Sequence, residues 1–67
     1  MRILINNKVE EFVGESISIG ELIRIKNFTF RMLVTKVNNI LVKKEDRELT
    51  FIKDGDEVIV LHMISGG

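Results

Sequence analysis

A chain of 67 residues with no cysteine has no disulfide to brace it, so its fold must rest on one small apolar core. At this length a folded domain buries only about 60% of the surface its unfolded chain exposes, which allows a single shallow core and no second domain. Core residues are in adequate supply, since 45% of the chain is apolar and 30% charged, the balance of a globular domain. The missing thiols also exclude zinc–thiolate sites, cysteine nucleophiles and any persulfide carried by the chain itself. Ten basic residues offset ten acidic ones. Without a basic block there is no electrostatic footprint for nucleic acid or an anionic membrane, and neither is expected as a partner. No apolar run approaches the length that spans a bilayer, and the sequence opens on a strand-like pattern in place of a charged leader; a cytoplasmic location is expected. His62, the one histidine, has only scattered carboxylates around it in sequence, so no metal site is expected.

The apolar pattern divides the chain into short elements. Arg2-Ile3-Leu4-Ile5 runs into Asn6-Asn7, and asparagine tolerates the positive φ of a tight hairpin turn. A second strand follows from Lys8 to Val13, but Val9 and Val13 share a parity with Glu11 while Phe12 falls on the other, which a bulge would reconcile. Ser18-Ile19-Gly20-Glu21 forms a capping box, the Ser18 hydroxyl accepting from the Glu21 amide and the Glu21 side chain reaching back. Ile19, Leu22, Ile23 and Lys26 keep helical spacing, with Asn27 as the stop. Phe28 and Phe30 are expected to plug the end of the core. A third strand is expected from Met32 to Val37, a turn at Asn38-Asn39 and a short strand at Ile40 to Val42. Lys43 to Arg47 reads as a turn or a single helical turn, and Lys43, Lys44 and Arg47 as a solvated face.

Leu49, Phe51 and Ile52 are expected to return apolar groups to the core before a turn at Asp54-Gly55-Asp56, where Gly55 can take φ above zero. The last strand spans Glu57 to His62. Taking Val58 and Val60 as its inward pair leaves Ile59, Leu61 and then Met63 outward; the opposite parity would make those three core residues. The order strand, strand, helix, strand, short strand, strand is that of an α+β roll, with one main helix packed across a mixed four- to five-stranded sheet. The pattern stops at Ser65-Gly66-Gly67, which by itself is as compatible with a frayed terminus as with a working group.

The chain resembles the ThiS family, the ubiquitin-like β-grasp sulfur carriers of thiamine biosynthesis. The resemblance spans the whole chain and is carried by Met1-Arg2-Ile3-Leu4-Ile5-Asn6, by the helix start Ser18-Ile19-Gly20-Glu21-Leu22-Ile23, and by the hairpin Val37-Asn38-Asn39-Ile40-Leu41-Val42. It is carried most by Lys53-Asp54-Gly55-Asp56-Glu57-Val58 ahead of the final strand and the terminal Gly66-Gly67. Lys43 and Lys44 stand where that family often has proline and arginine. The small subunit of molybdopterin synthase, a similar carrier, usually has prolines before its diglycine, where this chain has His62-Met63-Ile64-Ser65.

The resemblance implies a β-grasp domain over residues 1–62 and a flexible tail over residues 63–67. It implies a carrier and not an enzyme, with no cofactor of its own. A ubiquitin-activating-type adenylyltransferase would use ATP and Mg to adenylate the Gly67 carboxylate. A sulfur donor such as a cysteine desulfurase would supply the sulfur for a thiocarboxylate, and a thiazole synthase would receive it. A molybdopterin-type carrier and a ubiquitin-like protein modifier are the alternatives. Ser65 and Gly66 would belong to the tail, and the consecutive glycines Gly66-Gly67, without Cβ atoms, would let the chain enter a narrow cleft. Fully extended, Met63 to Gly67 reaches about 16 Å at about 3.3 Å per residue. Ordering it costs about 5 to 10 kcal/mol at about 1 to 2 kcal/mol per residue, so the folded body needs a docking surface. Leu4, Val34, Ile59, Leu61 and Met63 are the candidates.

Overall fold

The computed structural model describes residues 1–28 and 32–62. A five-stranded mixed sheet has the order β2-β1-β7-β4-β5, built from β1 (Arg2–Ile5), β2 (Lys8–Glu11), β4 (Leu33–Val37), β5 (Ile40–Val42) and β7 (Glu57–His62). The helix α1 (Ile19–Ile25) and a small antiparallel pair, β3 (Ser16–Ser18) with β6 (Phe51–Lys53), complete the roll. Strand β7 is central, parallel to β1 and antiparallel to β4. This is the β-grasp arrangement expected from the resemblance.

Local chemistry accounts for the corners. Asn6 and Asn7 take φ of 48° and 69°, and Asn38 and Asn39 take 49° and 72°, so each asparagine pair makes a two-residue hairpin turn with both central residues left-handed. The Asn6 side chain bonds the Val60 backbone, and Asn38 bonds Glu57, so both turns also grip β7. Gly55 sits at φ 90° in the Asp-Gly-Asp turn, whose Asp56 carboxylate accepts from the Lys53 amide at 2.9 Å.

The Ser18 hydroxyl caps α1 by accepting from Glu21 N–H at 3.0 Å. Of the expected reciprocal pair, this is the half made among the described residues; the Ser18 backbone lies in β3 opposite Phe51. At the other end Asn27 is left-handed at φ 59°. Phe28 N–H donates to Ile23 C=O and Asn27 N–H to Arg24 C=O, the paired bonds of a Schellman stop. Phe28 and Ile23, which flank that stop, both pack against the core. Phe30 lies outside the described residues.

Ile3, Ile5, Ile17, Ile19, Leu22, Ile52, Val58 and Val60 form the core beneath the helix. Two polar residues are buried with it among the described residues, Ser18, whose hydroxyl caps α1, and Thr35, whose hydroxyl donates to Val42 C=O at 2.8 Å, which removes the penalty of burying them unpaired.

Five sequence expectations are corrected. Arg47, expected on a solvated face with Lys43 and Lys44, is half-buried and donates from Nη2 to the Leu33 carbonyl at 2.7 Å. Strand β2 ends at Glu11 without a bulge, because the pairing that joins Ile5 to Lys8 and Arg2 to Glu11 continues in step to Met1 and Phe12, which exchange backbone bonds. Phe12 thus turns inward, while Val13, expected in the strand, is 99% exposed. The uneven alternation is absorbed by placing Glu10 on the helix-facing side of this edge strand, where it pairs with Lys26. Strand β4 starts at Leu33, leaving Met32 exposed. Leu49 and Phe51 are exposed at 76% and 63%: Leu49 lies ahead of β6, and in that three-residue strand the one inward place goes to Ile52. Finally, the β3–β6 pair was absent from the expected element order.

Candidate docking face and carboxyl terminus

Side chains on adjacent strands share a face when their residues pair in register. Ile5 pairs with Val58 and Thr35 with Val60, and all four are buried, so they define the helix-facing side. The positions between them define the opposite side. Val58 at 0% and Val60 at 6% exposure are therefore the inward pair of β7, with Ile59 and Leu61 outward. Leu61 pairs with Val34 and Ile59 with Lys36; Leu4 pairs with Val9 on one side and Glu57 on the other. Of the five candidate docking residues, Leu4, Val34, Ile59 and Leu61 thus lie on one outer sheet face. Met63 and the tail residues Ser65, Gly66 and Gly67 lie outside the described residues.

The structure adds three residues to this face that sequence reasoning did not select: Val9, Leu41 and Lys36. Val9 and Leu41 are 61% and 58% exposed. Lys36, half-buried, pairs with Leu41 on β5 and Ile59 on β7. The signal for them was available in the turns. A two-residue hairpin fixes register, so counting outward from Asn6-Asn7 pairs Leu4 with Val9, and from Asn38-Asn39 pairs Lys36 with Leu41. The expectation of a bulge in β2 hid the first of these.

Charge is unevenly spread on the face. At the Arg2 end, Arg2 lies 4.0 Å from Glu11 and the Arg2 amide donates to Asp54 Oδ1 at 2.7 Å. Toward the end of β7 the apolar residues predominate, with Lys36 among them. No helix among the described residues is long and apolar enough to cross a membrane.

A β-grasp body with an apolar outer sheet face, followed in sequence by a diglycine, is the form of a ubiquitin-like carrier domain. The ThiS family model matches residues 3–67, a span that includes both terminal glycines, and the chain belongs to the ThiS family. The crystal structure of a thiamine biosynthesis protein (ThiS) from Geobacter metallireducens is 28% identical with a TM-score of 0.89, each chain covered in full. An NMR solution structure of a thiamine biosynthesis protein from the same organism is 27% identical with a TM-score of 0.75, covering all of this chain and 88% of that one. The search of curated proteins returned no match.

Proposed function

We propose that this protein is a sulfur carrier of thiamine biosynthesis whose reactive group is the Gly67 carboxylate. The observation that carries this reading is the family match over residues 3–67, which runs through the last residue of the chain. The two Geobacter structures support the pathway through their names and the fold through their superposition.

The chemistry follows from the weakness of a carboxylate as an acyl donor. A partner of ubiquitin-activating type binds ATP and Mg, and a Gly67 carboxylate oxygen attacks the α-phosphorus, expelling pyrophosphate and leaving an acyl adenylate. A sulfur nucleophile at the oxidation level of sulfide then attacks the acyl carbon and displaces AMP, and the product is a terminal thiocarboxylate. A thiazole-forming synthase consumes that sulfur and returns the carboxylate. This chain acts throughout as substrate and not as catalyst: it contributes the diglycine, which enters a narrow cleft without Cβ obstruction, and the outer sheet face of Leu4, Val34, Ile59 and Leu61, which docks the partner.

Incubation with the adenylating enzyme of the same organism, ATP, Mg and sulfide tests the reading by intact-mass spectrometry. The expected result is a gain of one sulfur for one oxygen, confined to the C-terminal fragment. An unchanged mass with an enzyme proven active on another carrier overturns it.

A further inference from the structure

The outer face carries one feature that an all-apolar docking surface would lack. Lys36 sits between Ile59 of β7 and Leu41 of β5, directly opposite each in register, with Val34 two residues before it on the same side of β4 and Leu61 opposite Val34. It is half-buried, and long basic side chains in such positions cover apolar surface with their stems while the charged head stays in water. The ion pairs among the described residues involve Arg2, Arg24 and Lys26, and Lys36 makes none of them; a carboxylate on its side of the sheet, Glu57, lies two residues before Ile59 on β7. Lys43, extended at φ −71° and ψ 156°, continues the alternation of β5 past Leu41 and Val42 and adds a second cation at the rim of the same side.

A partner that covers Ile59, Leu41 and Val34 must also accommodate the Lys36 side chain, whose residue stands between Leu41 and Ile59. Removing an unpaired charge from water is strongly unfavourable, whereas a charge met by an opposite one in good geometry is tolerated and discriminates against partners that lack it. Resting on the reading that this face docks the activating enzyme, we infer that Lys36 is a specificity-determining residue, and that the surface it meets is apolar with a carboxylate placed to receive its ammonium. Lys43 adds to the attraction during approach, where rim charges act mainly on the association rate.

The test measures pyrophosphate release by the purified adenylating enzyme of the same organism, with ATP, Mg and wild-type, Lys36→Met, Lys36→Glu or Lys43→Glu carrier, at 50 and 500 mM salt (about 14 and 4 Å of screening length). Thermal melts verify that each variant is folded. The expected result is a KM about tenfold or more higher for Lys36→Glu at unchanged kcat, a smaller rise for Lys36→Met with much of the salt dependence gone, and an effect for Lys43→Glu that disappears at high salt. Wild-type KM for Lys36→Glu, or tighter binding of Lys36→Met at both salt concentrations, overturns the inference while leaving the proposed function intact. Failure of the wild-type carrier to be adenylated at all sinks the proposed function and this inference with it.

Discussion

The carboxamide of Asn6 and the peptide unit of Val60 are joined by two hydrogen bonds, Nδ2 donating to the Val60 carbonyl at 3.0 Å and the Val60 N–H donating to Oδ1 at 2.9 Å. Strand β1 ends at Ile5, yet its ladder with β7 is carried one step further by a side chain that reproduces the donor and acceptor of a strand residue. Asn6 does this while holding the left-handed φ of 48° that the hairpin needs, so one residue both turns the chain and sets the register of the central strand.

Replacing Asn6 by alanine removes both bonds and leaves the Val60 peptide to find water beside a partly buried strand. We expect a loss of about 1 to 2 kcal/mol, and at about 4 to 8 °C per kcal/mol for a domain of this size a clearly lowered midpoint in thermal unfolding. Asn6→Asp keeps the acceptor but turns a carboxylate toward the Val60 carbonyl, and is expected to be no better than alanine at neutral pH. A melting temperature equal to wild type for both variants would show that the clamp contributes nothing.

Glu48 and Arg24 supply a pH prediction. Their side chains form a two-point pair, with Nη1 to Oε2 at 2.8 Å and Nη2 to Oε1 at 3.2 Å. The hydrogen bond from Arg24, with its positive charge, holds the Glu48 carboxyl below its usual range. A depressed folded-state pKa contributes stability that is present above the unfolded-state value and disappears as pH falls through the folded one. Wild type should therefore exceed Glu48→Gln in melting temperature at pH 7, with the gap closing on acidification. Both groups are well exposed, so the gap is small and shrinks in salt.

Gly20 lies directly under that carboxylate: a Cβ built there collides with the Glu48 carboxyl group. Gly20→Ala must swing Glu48 aside and break the pair, but alanine is the better helix former by about 1 kcal/mol. The expected result is a melting temperature near or above wild type together with a Glu48 carboxyl that titrates at its ordinary value, measured by NMR. A Glu48 titration unchanged from wild type would refute the collision.

The two faces of the sheet should separate stability from function. Leu22, fully buried at 0% exposure, is expected to cost about 2 to 5 kcal/mol when cut to alanine, whereas Leu61, 49% exposed on the outer face, should change stability by about 0.5 kcal/mol or less. In the sulfur-loading assay the order reverses per folded molecule: Leu61→Ala raises the KM of the activating enzyme, and Leu22→Ala, where folded, does not. Equal loading of Leu61→Ala and wild type would remove the outer face from the docking surface.

Gly66→Val and deletion of Gly67 are expected to abolish the mass gain on loading and to leave the melting temperature unchanged, since the core residues and both asparagine clamps lie within residues 1–62. Residual loading of the deletion variant would show that the acyl group is elsewhere.

What the sequence determined by itself was local. Each asparagine pair, the Ser18 cap, the Asn27 stop and Gly55 act through the φ preference or short-range hydrogen bonding of a few neighbouring atoms, and all five appear where the residues placed them. The alternation of Glu57 to His62 left two parities open, and only the tertiary structure chose between them, because the choice depends on which side of the sheet the helix covers. The same holds for the β3–β6 pair, whose strands of three residues each lie more than thirty positions apart, too short for any periodicity to announce. It holds again for Glu10, whose place on the helix-facing side is acceptable only because Lys26, sixteen residues later, arrives above it. Lys36 is the clearest case: as a residue in a strand it is unremarked, and it becomes a charge within an apolar face only when β5 and β7, from distant parts of the chain, bring Leu41 and Ile59 to either side. Short-range forces are written in adjacent residues, while burial and pairing are properties of segments that meet only after the chain has closed on itself.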